Sequence, residues 1–204
     1  MAKTNNRPMP TIGVDRYTFF EVISDTKEKT EYKEAQSLPG LVEIAPTDNG
    51  GSDIFDADNG AYEVTSYIEK IGHEITNADI PPAVDAQWRG LTLKDGGVEV
   101  SNNVKTAYFG VAWRVLKKDG SYRYFRSYKG AYSFASNIGG KTKPSEGAPE
   151  NQTAKATYTA VQRESDGNYY YYIDENDFPE SLTREAFEAK WFTDLNYYPS
   201  DLSA

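Results

Sequence analysis

Residues 106–134 read TAYFGVAWRVLKKDGSYRYFRSYKGAYSF, and the fold class turns on them. Ala107, Phe109, Val111, Trp113 and Val115 alternate along the first half. That period of two belongs to a strand with one buried face. Asp119-Gly120 is a two-residue hairpin signal, and Tyr122, Tyr124 and Tyr128 continue the pattern on the return strand. A hairpin of long, aromatic, antiparallel strands therefore lies at the centre of the chain.

The same signature recurs on both sides. Upstream, DRYTFFEVIS (15–24) and LVEIAP (41–46) read as strands, separated by a polar turn and by Pro39-Gly40. TDNGGSD (47–53) reads as a loop by its Gly, Asn and Asp content. In AYEVTSYIEKIGHEIT (61–76), Tyr62, Val64, Ser66 and Ile68 share one face, whereas Ile71, His73 and Ile75 follow the opposite register. One extra residue near Lys70 reconciles the two halves, which predicts a β-bulge there. Downstream, GGKTKPSEGAPENQ (139–152) is a long Pro/Gly-rich loop, and AKATYTAVQ and NYYYYI are strands joined through Asp166-Gly167.

Two short helices are expected. DIPPAVDAQWRG (79–90) has Asp79 as a cap, Pro81 and Pro82 for a first turn and Gly90 for the C-terminal stop. SLTREAFEAKWF (181–192) has Ser181 as a cap, with Phe187 and Trp191 one turn apart. About eight strands, frequent turns and no βαβ alternation make the chain mainly β: an antiparallel sandwich or barrel with one or two short helices and long loops. Residues 1–13 read as an N-terminal arm without the apolar segment of a secretory signal. Residues 14–204 read as a single domain.

Composition narrows the function. The 204 residues carry a formal net charge of −9, with mean hydropathy −0.70. Such a chain does not coat nucleic acid, which is held by clustered Lys and Arg. There is no cysteine, which removes thiolate chemistry and fits a reducing compartment. No run approaches ~18 apolar residues, so no helical membrane span is expected. Sixteen tyrosines, nine phenylalanines and three tryptophans supply large contact area with polar tips, a composition that suits strands and interfaces.

Candidate chemistry is sparse. In FDADNGAYEV (55–64), Asp56 and Asp58 look like the start of a calcium loop. With Asp56 at position 1, however, Gly60 falls at 5 and Tyr67 at 12, where the loop needs a ligand and a glutamate. A turn tolerating positive φ is the better reading. His73 is the only histidine, and no G-x-S-x-G accompanies it, so it reads as structural. Carboxylate pairs suited to glycoside cleavage carry no signal among 31 acidic residues. No catalytic residue, metal or cofactor is assigned.

Arg114, Lys117, Lys118, Arg123, Arg126 and Lys129 crowd into 16 residues of this acidic chain. A solvated face and a base-stacking surface are two readings. The preferred one is a built-in contact with an identical neighbour, and Asp56 and Asp58 are further candidate subunit-contact residues. Head-to-tail contacts of that kind close into rings.

The order of segments resembles the major tail tube proteins of long, non-contractile phage tails. The carrying stretches are SLPGLVEIAP, FDADNGAYEV after a Gly-rich loop, IGHEITNADIPPA, YFGVAWRVLKKDGSYRYFRSYKGAYS and TAKATYTAVQRESDG, in that order across roughly residues 14–167. Departures are the longer arm, Trp88-Arg89 in place of an apolar pair before the glycine, and the C-terminal LNYYPSDLSA.

The resemblance implies a structural virion protein without enzymatic activity. Hexameric rings would stack into a tube around the tape-measure protein and later pass DNA without specific binding. The further partners it implies are the tail terminator and distal tail proteins, with assembly in the host cytoplasm and residence in the virion tail. Strands in 61–76 and 106–129 would join an inner barrel, and the arm and the loops at 47–53 and 139–152 would bridge rings. The alternatives are a carbohydrate-binding β-sandwich or adhesin, suggested by Tyr169 to Tyr172, and a related ring-forming protein such as a tail terminator.

Overall fold

The computed structural model describes residues 8–102, 104–133, 139–148 and 150–202. The strands in chain order are β1 (Thr11–Asp25), β2 (Thr30–Tyr32), β3 (Gln36–Ser37), β4 (Leu41–Pro46), β5 (Asn49–Ala57), β6 (Gly60–Asn77), β7 (Thr92–Lys94), β8 (Gly97–Glu99), β9 (Phe109–Lys117), β10 (Tyr122–Tyr132), β11 (Ala154–Ala160) and β12 (Tyr170–Asp174). The helices are α1 (Pro82–Arg89), between β6 and β7, and α2 (Arg184–Trp191), after β12. Strands take 49% of the chain and helices 12%, so it is mainly β, and its large sheet is antiparallel.

The main sheet runs β2-β1-β9-β10-β11-β6-β4, with β12 also on β10. The fork on β10 makes the fold. Its Arg123–Ser127 stretch pairs with β12, and its Gly130–Tyr132 stretch pairs with β11. Between them the β9–β10 register slips. A side chain at Gly130 would lie 2.3 Å from the Tyr158 ring, so only glycine allows β11 to come in there. The β11-β6-β4 half then folds across the β1-β9-β10 half as a second layer, and Tyr17 of β1 hydrogen-bonds His73 of β6 across the gap (3.0 Å).

Alternation assigns the two faces of the central strands to two cores. Phe19 and Val111 join Ile75, Tyr158, Ala156 and Trp88 between the layers. Their neighbours Phe20 and Ala112, with Tyr124, pack on Phe187, Trp191 and Leu195 of α2 and the segment after it. Each large side chain fully buried in these cores contributes about 1.5–3 kcal/mol.

Several expectations change in detail. Residues 1–7 of the arm lie outside the described residues, and Thr11–Gly13 already belong to β1. The expected loop at 47–53 is mostly strand, because Asn49–Ala57 pairs along β6. Residues 139–148 and 150–152 of the later loop carry no strand or helix, and Lys141 and Gln152 bridge them with two hydrogen bonds. Asp119-Gly120 does not make a two-residue turn. Only Gly120 has positive φ, and the bonds Gly120 N to Lys117 O and Lys117 N to Ser121 O enclose residues 118–120. β11 and β12 both pair with β10.

The caps also shift. α1 starts after Pro81 with no side-chain cap, while Gly90 stops it at φ +64° as expected. α2 is capped by Thr183, whose hydroxyl accepts from Ala186 N, rather than by Ser181. The β7–β8 hairpin, turned by Asp95 and Gly96, had no counterpart in the sequence reading.

Candidate assembly interface

β5 and β6 form a ribbon that continues past the main sheet. Its tip is a two-residue turn. Ala57 faces Gly60, while Asp58 and Asn59 take φ +51° and +65°. Both central residues lie in the left-handed region, the geometry that matches the twist of the flanking strands and favours Asn and Asp. Asp58 is thus a turn residue and Asp56 an exposed residue beside the tip.

At the root the ladder steps from Asn49↔Lys70 to Gly50↔Ile68, leaving Glu69 as the extra residue. This is the predicted bulge. Ile71, His73 and Ile75 beyond it are buried, whereas every residue from Gly60 to Lys70 is exposed. A bulge reverses which face a strand presents, so one continuous strand serves the core on one side and the ribbon on the other.

One face of the exposed ribbon is largely apolar. Ile54 and Val64 face each other across the strands, and Ile68 lies on the same side as Val64. The opposite side carries Asp53, Phe55, Glu63 and Tyr67. Tyr67 lies over Gly51, where a Cβ would come within 2.7 Å of its hydroxyl. Near the tip Phe55 and Tyr62 meet edge to face at 6.3 Å, and they are 63% and 72% exposed. Among the described residues β5 pairs only with β6, and Gly60–Lys70 pairs only with β5, so both ribbon edges are open.

A cleft opens beside the ribbon's root. Asp48, Gly72, Trp113, Phe125 and Tyr172 line it, with His73 in its floor. Its volume is about 170 Å³, and it runs into a shallower groove through shared Ile44, Pro46, Trp113 and Phe125. The aromatic wall is ordered: Trp113 stacks on Phe125 at 5.4 Å, Phe125 on Tyr172 at 5.7 Å and Tyr172 on Tyr170 at 6.1 Å. His73 is buried beside Trp113, stacked on Tyr158 and bonded to Tyr17. Burial pushes its pKa down to about 3, so it is neutral near pH 7.

The six basic residues chosen from sequence are mostly spent within the chain. Arg114 bonds Asp15 (2.6 Å) and Glu188 (2.5 Å). Burial opposes its charge, but those carboxylates raise its pKa. Lys117 and Arg123 both pair with Asp174, at 2.7 and 2.5 Å. Arg123 foremost, against the penalty of burial and with help from Lys117, holds the Asp174 carboxyl below its usual range.

Lys129 pairs with Asp25 at 2.6 Å. Burial would raise the Asp25 pKa, but Lys129, Thr30 and the Glu164 amide together lower it. Arg126 is 0% exposed, donates to Tyr197 O and Tyr128 Oη, and lies under the rings of Trp191 and Tyr198. Arg126 cannot touch a neighbour, and only Lys118 is freely exposed at the hairpin end. The basic hairpin is therefore chiefly an internal brace.

The apolar ribbon was missed as a surface because alternation in 61–70 reads as a half-buried strand. The usable signal was the register change at Glu69, which separates the buried half from the exposed half. Among the described residues no helix is long and apolar enough to cross a membrane. No group of three or more His, Cys, Asp or Glu among them is placed to hold a metal ion. No family model matches the chain, and no curated protein matches it.

Proposed function

We propose that the chain is a self-assembling structural subunit of the tail tube type, forming stacked hexameric rings around a lumen that holds the tape measure and conducts DNA. The observation that carries this reading is the β5–β6 ribbon. It exposes Ile54, Phe55, Tyr62, Val64, Tyr67 and Ile68 on a two-stranded element with two open edges. A lone two-stranded ribbon is marginal in water, and open apolar edges invite pairing with other chains. Assembly covers such a surface, and a closed ring removes its edges. The net charge of −9 suits a wall along which DNA slides without sticking.

Electron microscopy of the concentrated protein over a range of salt tests this reading. Rings or tubes are expected; monodisperse monomers throughout overturn it. Many copies per purified virion are expected of a tube subunit and few of a terminator.

A second reading, a carbohydrate-binding module or adhesin, draws on the row Trp113, Phe125, Tyr172 and Tyr170, since stacked exposed rings can receive sugar faces. Binding on a glycan array, lost in Tyr172→Ala, would favour it over the tube. An array without hits removes it.

A further inference from the structure

The tip and the root of the ribbon are complementary surfaces on one chain. The tip offers two exposed aromatic rings, Phe55 and Tyr62. The root opens onto the cleft of about 170 Å³. That is close to the volume of roughly 150 Å³ at which an engineered apolar cavity takes up benzene. The wall is apolar or aromatic at Ile44, Pro46, Trp113, Phe125 and Tyr172. It selects Phe55, which has no polar atom, for the interior and leaves the Tyr62 hydroxyl at the wet rim.

The chain's own tip cannot fill this cleft. From Gly50↔Ile68 to Ala57↔Gly60 the two strands pair along their whole length, with one irregularity next to the tip. Eight to nine residues of ribbon span about 30 Å at roughly 3.3 Å each. To turn back onto its own root the ribbon would have to break its ladder. Among the described residues, the tip that fits this cleft can therefore reach it only from another copy.

Resting on the self-assembly reading above, we infer that Phe55 at the tip of one copy seats in the root cleft of the next, against Trp113, Phe125 and Tyr172. The contact is heterologous, tip to root, so every copy has one tip to give and one cleft to fill, and it propagates from copy to copy. Arg123 and Glu43 both line the adjoining groove, but Arg123 is already paired with Asp174. Asp56 and Asp58 at the tip therefore gain little there, and the buried ring carries the contact, as an aromatic anchor in a pocket does.

The cysteine-free sequence allows a direct test. Asp56→Cys places a thiol beside the anchor, and Val42→Cys places one in the groove that continues the cleft. The two variants, carrying different tags, are mixed at assembling concentration and treated with a short bis-maleimide. Crosslinks between the two variants are expected, with few within either one. Adding Phe55→Ser to Asp56→Cys should lower the yield at least about tenfold, the loss of one anchor. Crosslinking unchanged by Phe55→Ser overturns the inference. So do rings or tubes without this crosslink, although the self-assembly reading then survives. Protein that never associates overturns both, and a tip-to-root crosslink without rings upholds the inference while rejecting the ring.

Discussion

Lys117 Nζ lies 2.7 Å from Asp174 Oδ2, with the lysine side chain 7% exposed. The pair ties the end of β9 to the end of β12, on either side of β10, and Arg123 of β10 binds the same carboxylate. A basic cluster that looked poised for a partner is closed from within. Lys117→Glu replaces an ion pair with two facing carboxylates in a shielded site, a change costing about 3 kcal/mol. For a chain of this length the melting temperature should fall by on the order of 10 °C. Differential scanning calorimetry checks this; an unchanged melting temperature with lost assembly would restore the contact reading.

Arg126 predicts a local effect. Its guanidinium is 4.6 Å from the Trp191 ring centroid and 4.4 Å from that of Tyr198, and it donates to Tyr197 O. It therefore pins the segment after α2 onto β10. Arg126→Ala empties this stack, at a cost of about 3–5 kcal/mol for a large buried side chain. Lysine should rescue little, because an ammonium lacks the flat face that stacks on rings. Limited proteolysis should show early cleavage between 192 and 202 in Arg126→Ala and not in the parent.

His73 sets a pH dependence with a defined sign. In the unfolded chain it titrates near 6.5, and in the fold burial holds it at about 3. Between those values the unfolded state binds the extra proton, so stability is full above about pH 6.5 and declines as pH falls towards 3. The slope approaches about 1.4 kcal/mol per pH unit. With a single histidine, this window is free of other imidazoles. The lowered carboxylates Asp25, Asp166 and Asp174 lose their contribution at lower pH, through and below the usual carboxylate range. Denaturant melts from pH 7 to 4.5 should show the decline in the parent and a flatter profile in His73→Gln.

Local pattern made some elements legible and long-range pairing hid others. LVEIAP is β4 residue for residue, and the stop at Gly90 holds because a side chain there would strike Lys105 O at 1.8 Å. Asn49–Asp53 has loop composition, yet it is strand because β6 offers a full ladder opposite it. The partners of the basic residues were unreadable for a related reason. Arg123 and Asp174 are 51 residues apart, Arg114 and Glu188 are 74, and Lys129 and Asp25 are 104. Only the fold brings them together. The ribbon's exposure was likewise hidden, since alternation does not say which face has a neighbour.

The flat face of the ribbon gives the last prediction. Ile54 and Val64 sit opposite each other, 53% and 59% exposed, and belong to neither core. Replacing both with serine removes apolar surface already in contact with water in the monomer. The subunit's own stability should therefore change by no more than about 0.5 kcal/mol per site. In an assembly that buries the face, the same change forfeits about 1.5–3 kcal/mol per side chain, repeated in every copy. The double variant Ile54→Ser, Val64→Ser should thus melt within about 3 °C of the parent. It should also require at least about tenfold more protein to associate in sedimentation velocity runs. A variant that melts much lower would mean that the ribbon is part of the folded core. One that associates at the parental concentration would leave this face in water and assign assembly to the tip alone.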